Sequence, residues 1–283
     1  MTFLRFNRLY IIESLEPHEV KTGQILFDYL KPIIEGADFT LPMGHYTTES
    51  AQGFRDVLAE LLTNSQQGHL PWLHIECHGS DEGLEFANGS EIGWQELCNL
   101  LRPINQACQF QLFVVLSCCH GAGIVSGIDT GRGAPCLGLI GPSHEVHPAE
   151  LLGHFRDFYR QLVETTDLGA AFRSWSSRSL EKGQMAIVTA EFWWRQLMSA
   201  YLGEHATRDG IAKTARRQRK IHAAQGVATS IGSLRRKFIQ RLPLVVEKRF
   251  KAYFMLDEVP DNAARFGETF KALQSEVKER LNG

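Results

Sequence analysis

A histidine and a cysteine lie 41 positions apart in this chain, and each follows an apolar run and precedes a glycine. The runs are Leu73-His74-Ile75-Glu76-Cys77-His78-Gly79 and Val114-Val115-Leu116-Ser117-Cys118-Cys119-His120-Gly121. An imidazole can accept the thiol proton, and the thiolate is the form that attacks a carbonyl carbon. Neighbours on a strand face opposite sides, so at most one of Cys118 and Cys119 can face His78. A zinc site built from Cys77, His78, Cys118, Cys119 and His120 fits poorly, because adjacent ligands do not suit a tetrahedral ion and no C-x₂-C pair is present. Ser117-x-Cys119-x-Gly121 also has the form of a nucleophile elbow, with His144, His147 or His154 as its base. The glycine-rich loop after Gly121, with no prompt amphipathic helix, counts against that reading.

Those residues must be positioned by strand ends. Pro71–Cys77 and Phe110–Cys118 read as strands, the second a near-continuous apolar run of the kind buried on both faces. Phe3–Ile12, Pro135–Ile140 and Met185–Thr189 read as further strands. Helical spacing marks Thr22–Ile34, with Gly36 as its stop, then Thr48–Leu62, Trp94–Leu101, Val146–Val163 and Asp167–Ser176. A loop is expected between Gly79 and Trp94. Strands alternating with helices predict a doubly wound, mostly parallel α/β sheet flanked by helices, with reacting groups just past the carboxyl ends of the strands. From Glu191 the chain turns helical, with glycines 226 and 232 expected as breaks, Pro243 as a stop, and Glu268–Leu281 as a terminal amphipathic helix. Trp193 and Trp194 are expected in the core between the two parts.

The pair LHIECHG and LSCCHG resembles the caspase-like cysteine peptidases, the CHAT branch in particular. The likeness covers about residues 70–200, including the strand to Ile140-Gly141, GPSHEVH, FRDFYRQL and DLGAAFRS. The resemblance implies a caspase-like fold, His78 as base, Cys119 as nucleophile, and the backbone N–H groups of Gly79 and Cys119 as an oxyanion hole. It leaves Cys118 as a strand-end core residue. It further implies a cysteine endopeptidase acting on protein or peptide substrates, without metal or organic cofactor. Bacterial members of this size often serve defence or programmed-death systems. Asp129 and Glu145 offer charge to a basic substrate side chain; Arg132 offers the opposite. The competing non-enzyme reading is a silent caspase-like adaptor.

The 283 residues are 43% hydrophobic, ample for a large core. Six cysteines (77, 98, 108, 118, 119, 136) at irregular spacing suit a reducing compartment, and no signal peptide or spanning run is seen, so a cytoplasmic protein without a membrane partner is expected. The net charge of −2 conceals −10 over residues 1–200 and +10 over 201–251. This predicts a peptidase domain over 1–200 and a basic helical extension over 201–283 packed on it. The bases, including Lys213, Arg216, Arg217, Arg219, Lys220, Arg235, Arg236 and Lys237, suit an activating protein partner or an anionic ligand. No motif favours nucleic acid.

Overall fold

The structure, a computed structural model, describes residues 5–179 and 185–282. It falls into two compact units: 5–128 with 134–189, and 129–133 with 190–282.

The first unit is built on six strands: β1 (Arg8–Glu13), β2 (Met43–Thr47), β3 (Pro71–Glu76), β7 (Phe113–Ser117), β8 (Gly138–Pro142) and β9 (Met185–Thr189), in the order β2-β1-β3-β7-β8-β9. All pairings are parallel except β8 with β9, which is antiparallel. Between them lie α1 (Thr22–Glu35), α2 (Ala51–Gln66), α3 (Trp94–Ala107), α4 (Pro148–Thr165) and α5 (Leu168–Ser179). From β1 the chain steps outward to β2 and then back past β1 to β3. Right-handed crossovers therefore put α1 on one face, and α2 and α3 on the other. On the first face Leu9, Ile11, Trp72, Phe113 and Val115 form one core with Leu26 and Leu30 of α1 and Phe155 and Phe158 of α4. The alternate residues Tyr10, Ile12, Leu73, Ile75, Val114 and Leu116 are buried as well. Both faces are thus covered, as the apolar strands require.

Several boundaries differ from expectation. β1 starts at Arg8, since Phe6 packs its ring edge-on to Trp72 instead of continuing the strand; positions 3 and 4 lie outside the described residues. β2 gave no apolar signal because it is an edge strand, half-exposed along its length. The segment expected as a loop after Gly79 folds into a small antiparallel sheet of β4 (His78–Gly79), β5 (Gly83–Glu85) and β6 (Glu91–Gly93). Buried Leu84, Phe86 and Ile92 hold it in place.

The second unit contains α6 (Ala190–His205), α7 (Arg208–Ala224), α8 (Ile231–Tyr253), α9 (Asn262–Arg265) and α10 (Gly267–Asn282). Trp194 of α6 is fully buried within this unit, against Phe250, Tyr253 and Phe254 at ring-centroid distances of 5.7, 5.2 and 5.6 Å. Gly226 breaks the chain as expected, at φ +74°, just past the end of α7. Gly232 does not, lying in the first turn of α8. Pro243 also fails as a stop and sits inside α8. An interior proline costs about 3 kcal/mol of helix propensity. Leu242, Val246 and Phe250, all buried on the same helix, hold the turn in register across it.

Candidate active site

The crevice of an open α/β sheet opens where the strand order reverses, here between β1 and β3. Glu76 of β3 is in register with Ser117 of β7. His78 and Cys119 each lie two residues beyond that pair, and Gly79 closes against the Cys119 backbone. Both line one cleft of about 430 Å³. Glu19, from the β1–α1 loop, lines it too, and its Oε1 lies 2.9 Å from His78 Nε2. Glu19 Oε2 accepts the Glu16 N–H at 2.6 Å. Burial opposes ionisation of Glu19, but that N–H, the His78 hydrogen bond and the nearby His78 and His18 outweigh it and hold the carboxyl below its ordinary range.

Beneath the cleft a buried polar network fixes the strand ends. Glu13 Oε1 accepts the Gly23 and Gln24 N–H groups at 2.6 and 3.3 Å, where a carboxylate suits the start of α1. Burial pushes the Glu13 carboxyl up, against those hydrogen bonds. Glu76 Oε2 accepts the Thr22 hydroxyl at 2.8 Å, and Glu76 Oε1 lies 2.9 Å from His74 Nε2. His74 Nδ1 meets the Tyr159 hydroxyl at 3.0 Å, and that oxygen accepts the Trp72 indole N–H at 3.0 Å. His74 is therefore a core histidine with both nitrogens partnered. The network ties the first turn of α1 to β1 and β3, and so sets the loop that carries Glu19.

The two cysteines are unlike. Cys118 is buried, and its hydrogen bond with Cys77, burial and nearby Glu76 hold its thiol well above the ordinary range, which keeps it protonated. Cys119 is half-buried, and its thiol points to the Val146 carbonyl at 3.8 Å. Gly79 lies against this turn: a Cβ there would stand 2.2 Å from the Cys119 carbonyl oxygen and 3.1 Å from Cys118 Sγ. Only glycine fits without displacing the Cys119 backbone. The left-handed residue of the turn is His120 (φ +57°), not Cys119, and Gly121–Gly127 is a 3₁₀ segment. A nucleophile elbow instead strains the nucleophile itself and leads into a helix.

Cys119 also borders a second cleft, of about 730 Å³, lined by Gly79, Asp81, His120, Glu145 and His147 among others. Glu145 is thus beside the candidate nucleophile. Asp81 joins it there, with its Oδ1 2.8 Å from His120 Nδ1. Asp129 and Arg132 group with the helical unit, where Asp129 Oδ1 accepts the Gly131 N–H at 2.7 Å. His147 borders both clefts and caps α4, its Nδ1 accepting the Ala149 N–H at 3.3 Å. His154 instead lies 3.6 Å from Glu150 on α4. Among the described residues no group of three or more His, Cys, Asp or Glu could hold a metal ion. Cys77 and Cys118 pair with each other, while His78 and His120 turn to separate carboxylates.

Glu19 was not singled out from the sequence. The available signal was its place: an acidic residue in the loop after the strand beside β3. No protein-family model matches the chain, and neither does any curated protein. Among solved structures the chain is similar to the Drosophila initiator caspase Dronc, at 14% identity over 65% of this chain and 80% of that one, with a TM-score of 0.46. The fold class stands on the strand order itself: a mostly parallel six-stranded sheet flanked by helices, followed by a helical part.

Proposed function

We propose that this protein is a caspase-like cysteine endopeptidase in which Cys119 attacks a peptide carbonyl. The observation that carries the reading is the shared cleft at the sheet's switch point, which Cys119 and His78 both line and where Glu19 meets His78. With Nε2–H directed to Glu19, Nδ1 is the basic nitrogen. It takes the thiol proton as sulfur bonds to the carbonyl carbon, then returns it to the leaving amine; water later releases the acyl group from sulfur. The Gly79 and Cys119 N–H groups serve the oxyanion, a role worth about 10²–10³ in rate where such donors have been removed elsewhere. Glu145 and Asp81 favour a basic side chain in the second cleft. The narrower CHAT assignment, and with it a role in bacterial defence, rests on the two sequence motifs.

The test is peptide profiling. Purified protein is incubated with a proteome-derived peptide library, and new termini are sequenced for the wild type and Cys119→Ala. Cleavage that depends on Cys119 supports the reading. A wild-type protein that cleaves nothing, while iodoacetamide alkylates Cys119 no faster than a free thiol, supports the silent-adaptor alternative.

A further inference from the structure

The helical unit presents a feature that the cysteine chemistry does not use. From Gly210 to Val246 the chain carries nine Lys and Arg and no Asp or Glu. The structure folds this stretch into the α7–α8 hairpin, and all nine are exposed. Lys213 pairs with Asp209 at 2.7 Å; the other eight form no ion pair among the described residues. Such an excess is not a solvated face balanced by neighbours.

The hairpin's end has a different chemistry. Residues 221–234 contain no Asp, Glu, Lys or Arg. Ile221 and Val227 are 42% and 50% exposed, and Ala223, Ala224 and Ala228 are exposed beside them. The end is ordered: Gly226 makes the turn at φ +74°, and His222 Nδ1 lies 2.9 Å from the Thr229 hydroxyl across it. The bases form a collar behind it. At about 1.5 Å per residue, Arg216 lies roughly 12 Å back along α7 from Ala224, and Arg235 roughly 6 Å along α8 from Ile231.

An uncharged end that exposes Ile221 and Val227, with a basic collar behind it, matches a lipid interface. Interfacial helices bury apolar side chains about 5–10 Å into the headgroup–acyl boundary while their bases meet anionic headgroups. A nucleic acid would reward the collar and gain little from the exposed Ile221 and Val227. No helix among the described residues is long and apolar enough to cross a membrane, which is a separate matter from lying on one. We propose that the α7–α8 hairpin docks this protein on anionic membranes, its uncharged end entering the interface and its collar engaging lipid headgroups.

The test uses the full chain and sedimentation with vesicles of phosphatidylcholine, with and without phosphatidylserine. Binding is expected only with phosphatidylserine and should weaken as salt rises. Each base near an anionic surface contributes about fivefold, so replacing Arg216, Arg217, Arg235 and Arg236 by Gln should weaken binding by roughly several hundredfold. Val227→Asp, which keeps every base, should weaken it about tenfold or more. Both variants should melt like the wild type, since the changed side chains are exposed. The proposal is overturned if both vesicle types bind equally or neither binds, or if Val227→Asp binds like the wild type. It is also overturned if an oligonucleotide or a polyglutamate chain is bound in a salt-dependent way while phosphatidylserine vesicles are not.

Discussion

Gly79→Ala adds one carbon at the tightest point of the site. Its Cβ would stand 2.2 Å from the Cys119 carbonyl oxygen, where ordinary contact begins at 3.4 Å, so the two segments must separate by about 1.2 Å. That oxygen belongs to the proposed nucleophile's own backbone, so the shift moves Cys119 relative to His78 and pulls apart the two proposed oxyanion donors. A misplacement of about 1 Å costs on the order of 10²-fold in rate, and loss of one oxyanion donor about 10²–10³-fold. The expected fall in kcat/KM is therefore about 10²–10³-fold, or about 2.7–4 kcal/mol in the barrier. Overpacking should also destabilise the fold by about 1–3 kcal/mol. The assay is cleavage of one fluorogenic peptide, chosen from the profiling experiment, with thermal melting of the same sample. Gly153→Ala is the control: Gly153 lies in α4 with nothing within 4 Å of its added Cβ. It should leave kcat/KM unchanged and stabilise by up to about 1 kcal/mol. If Gly79→Ala keeps more than about a third of wild-type kcat/KM, the close approach of Gly79 to Cys119 is not part of the catalytic geometry, and the oxyanion assignment falls with it.

Cys119→Ala should lower cleavage at least about 10³-fold, as removal of a nucleophile does, while Cys118→Ala should keep activity and lose stability through the buried thiol and its Cys77 partner. The opposite pattern in folded proteins would exchange their roles. His78→Ala should abolish turnover and slow alkylation of Cys119 by iodoacetamide; His147→Ala should preserve most turnover and weaken the α4 cap by about 1 kcal/mol. An inactive His147→Ala beside an active His78→Ala would restore the elbow reading. Glu19→Gln should lower kcat about tenfold with little change in KM, because it removes the charge behind His78, to be read from initial rates. Since the Glu19 carboxyl is held below its ordinary value of 4.5, the stability it contributes is full above that pH and lost as pH falls through its folded value. Melting curves of Glu19→Gln should lack that acid limb, and superimposable pH profiles would show that the His78 contact contributes nothing.

The chain's local pattern carries much of this protein. Mostly apolar runs ending in His78-Gly79 and Ser117-x-Cys119 marked the two central strands, because a strand covered on both faces favours apolar side chains at successive positions. Helical spacing marked the helices of both units, and the fall in acidic residues near residue 200 marked the basic hairpin. Signals vanished where burial depends on partners distant in sequence. β2 is half-exposed at an edge, and the hairpin after Gly79 is closed by Leu84 and Ile92 against elements the local pattern does not name. Pro243 reads as a stop, yet tertiary burial of Leu242 and Val246 outweighs its cost. The site shows the same division. Residue types sufficed to single out a histidine and a cysteine as the proposed reacting groups. Only the pairing of β3 with β7 brings them to one cleft, and only the insertion of β1 beside β3 brings Glu19 to His78 across 59 residues of chain. Which cysteine is accessible was likewise a matter of environment, since Cys118 and Cys119 are the same residue type and differ in whether the fold leaves the thiol in the interior or at a cleft. Strand order and register arise from packing between segments far apart in the chain, and no local pattern encodes a distance of that kind.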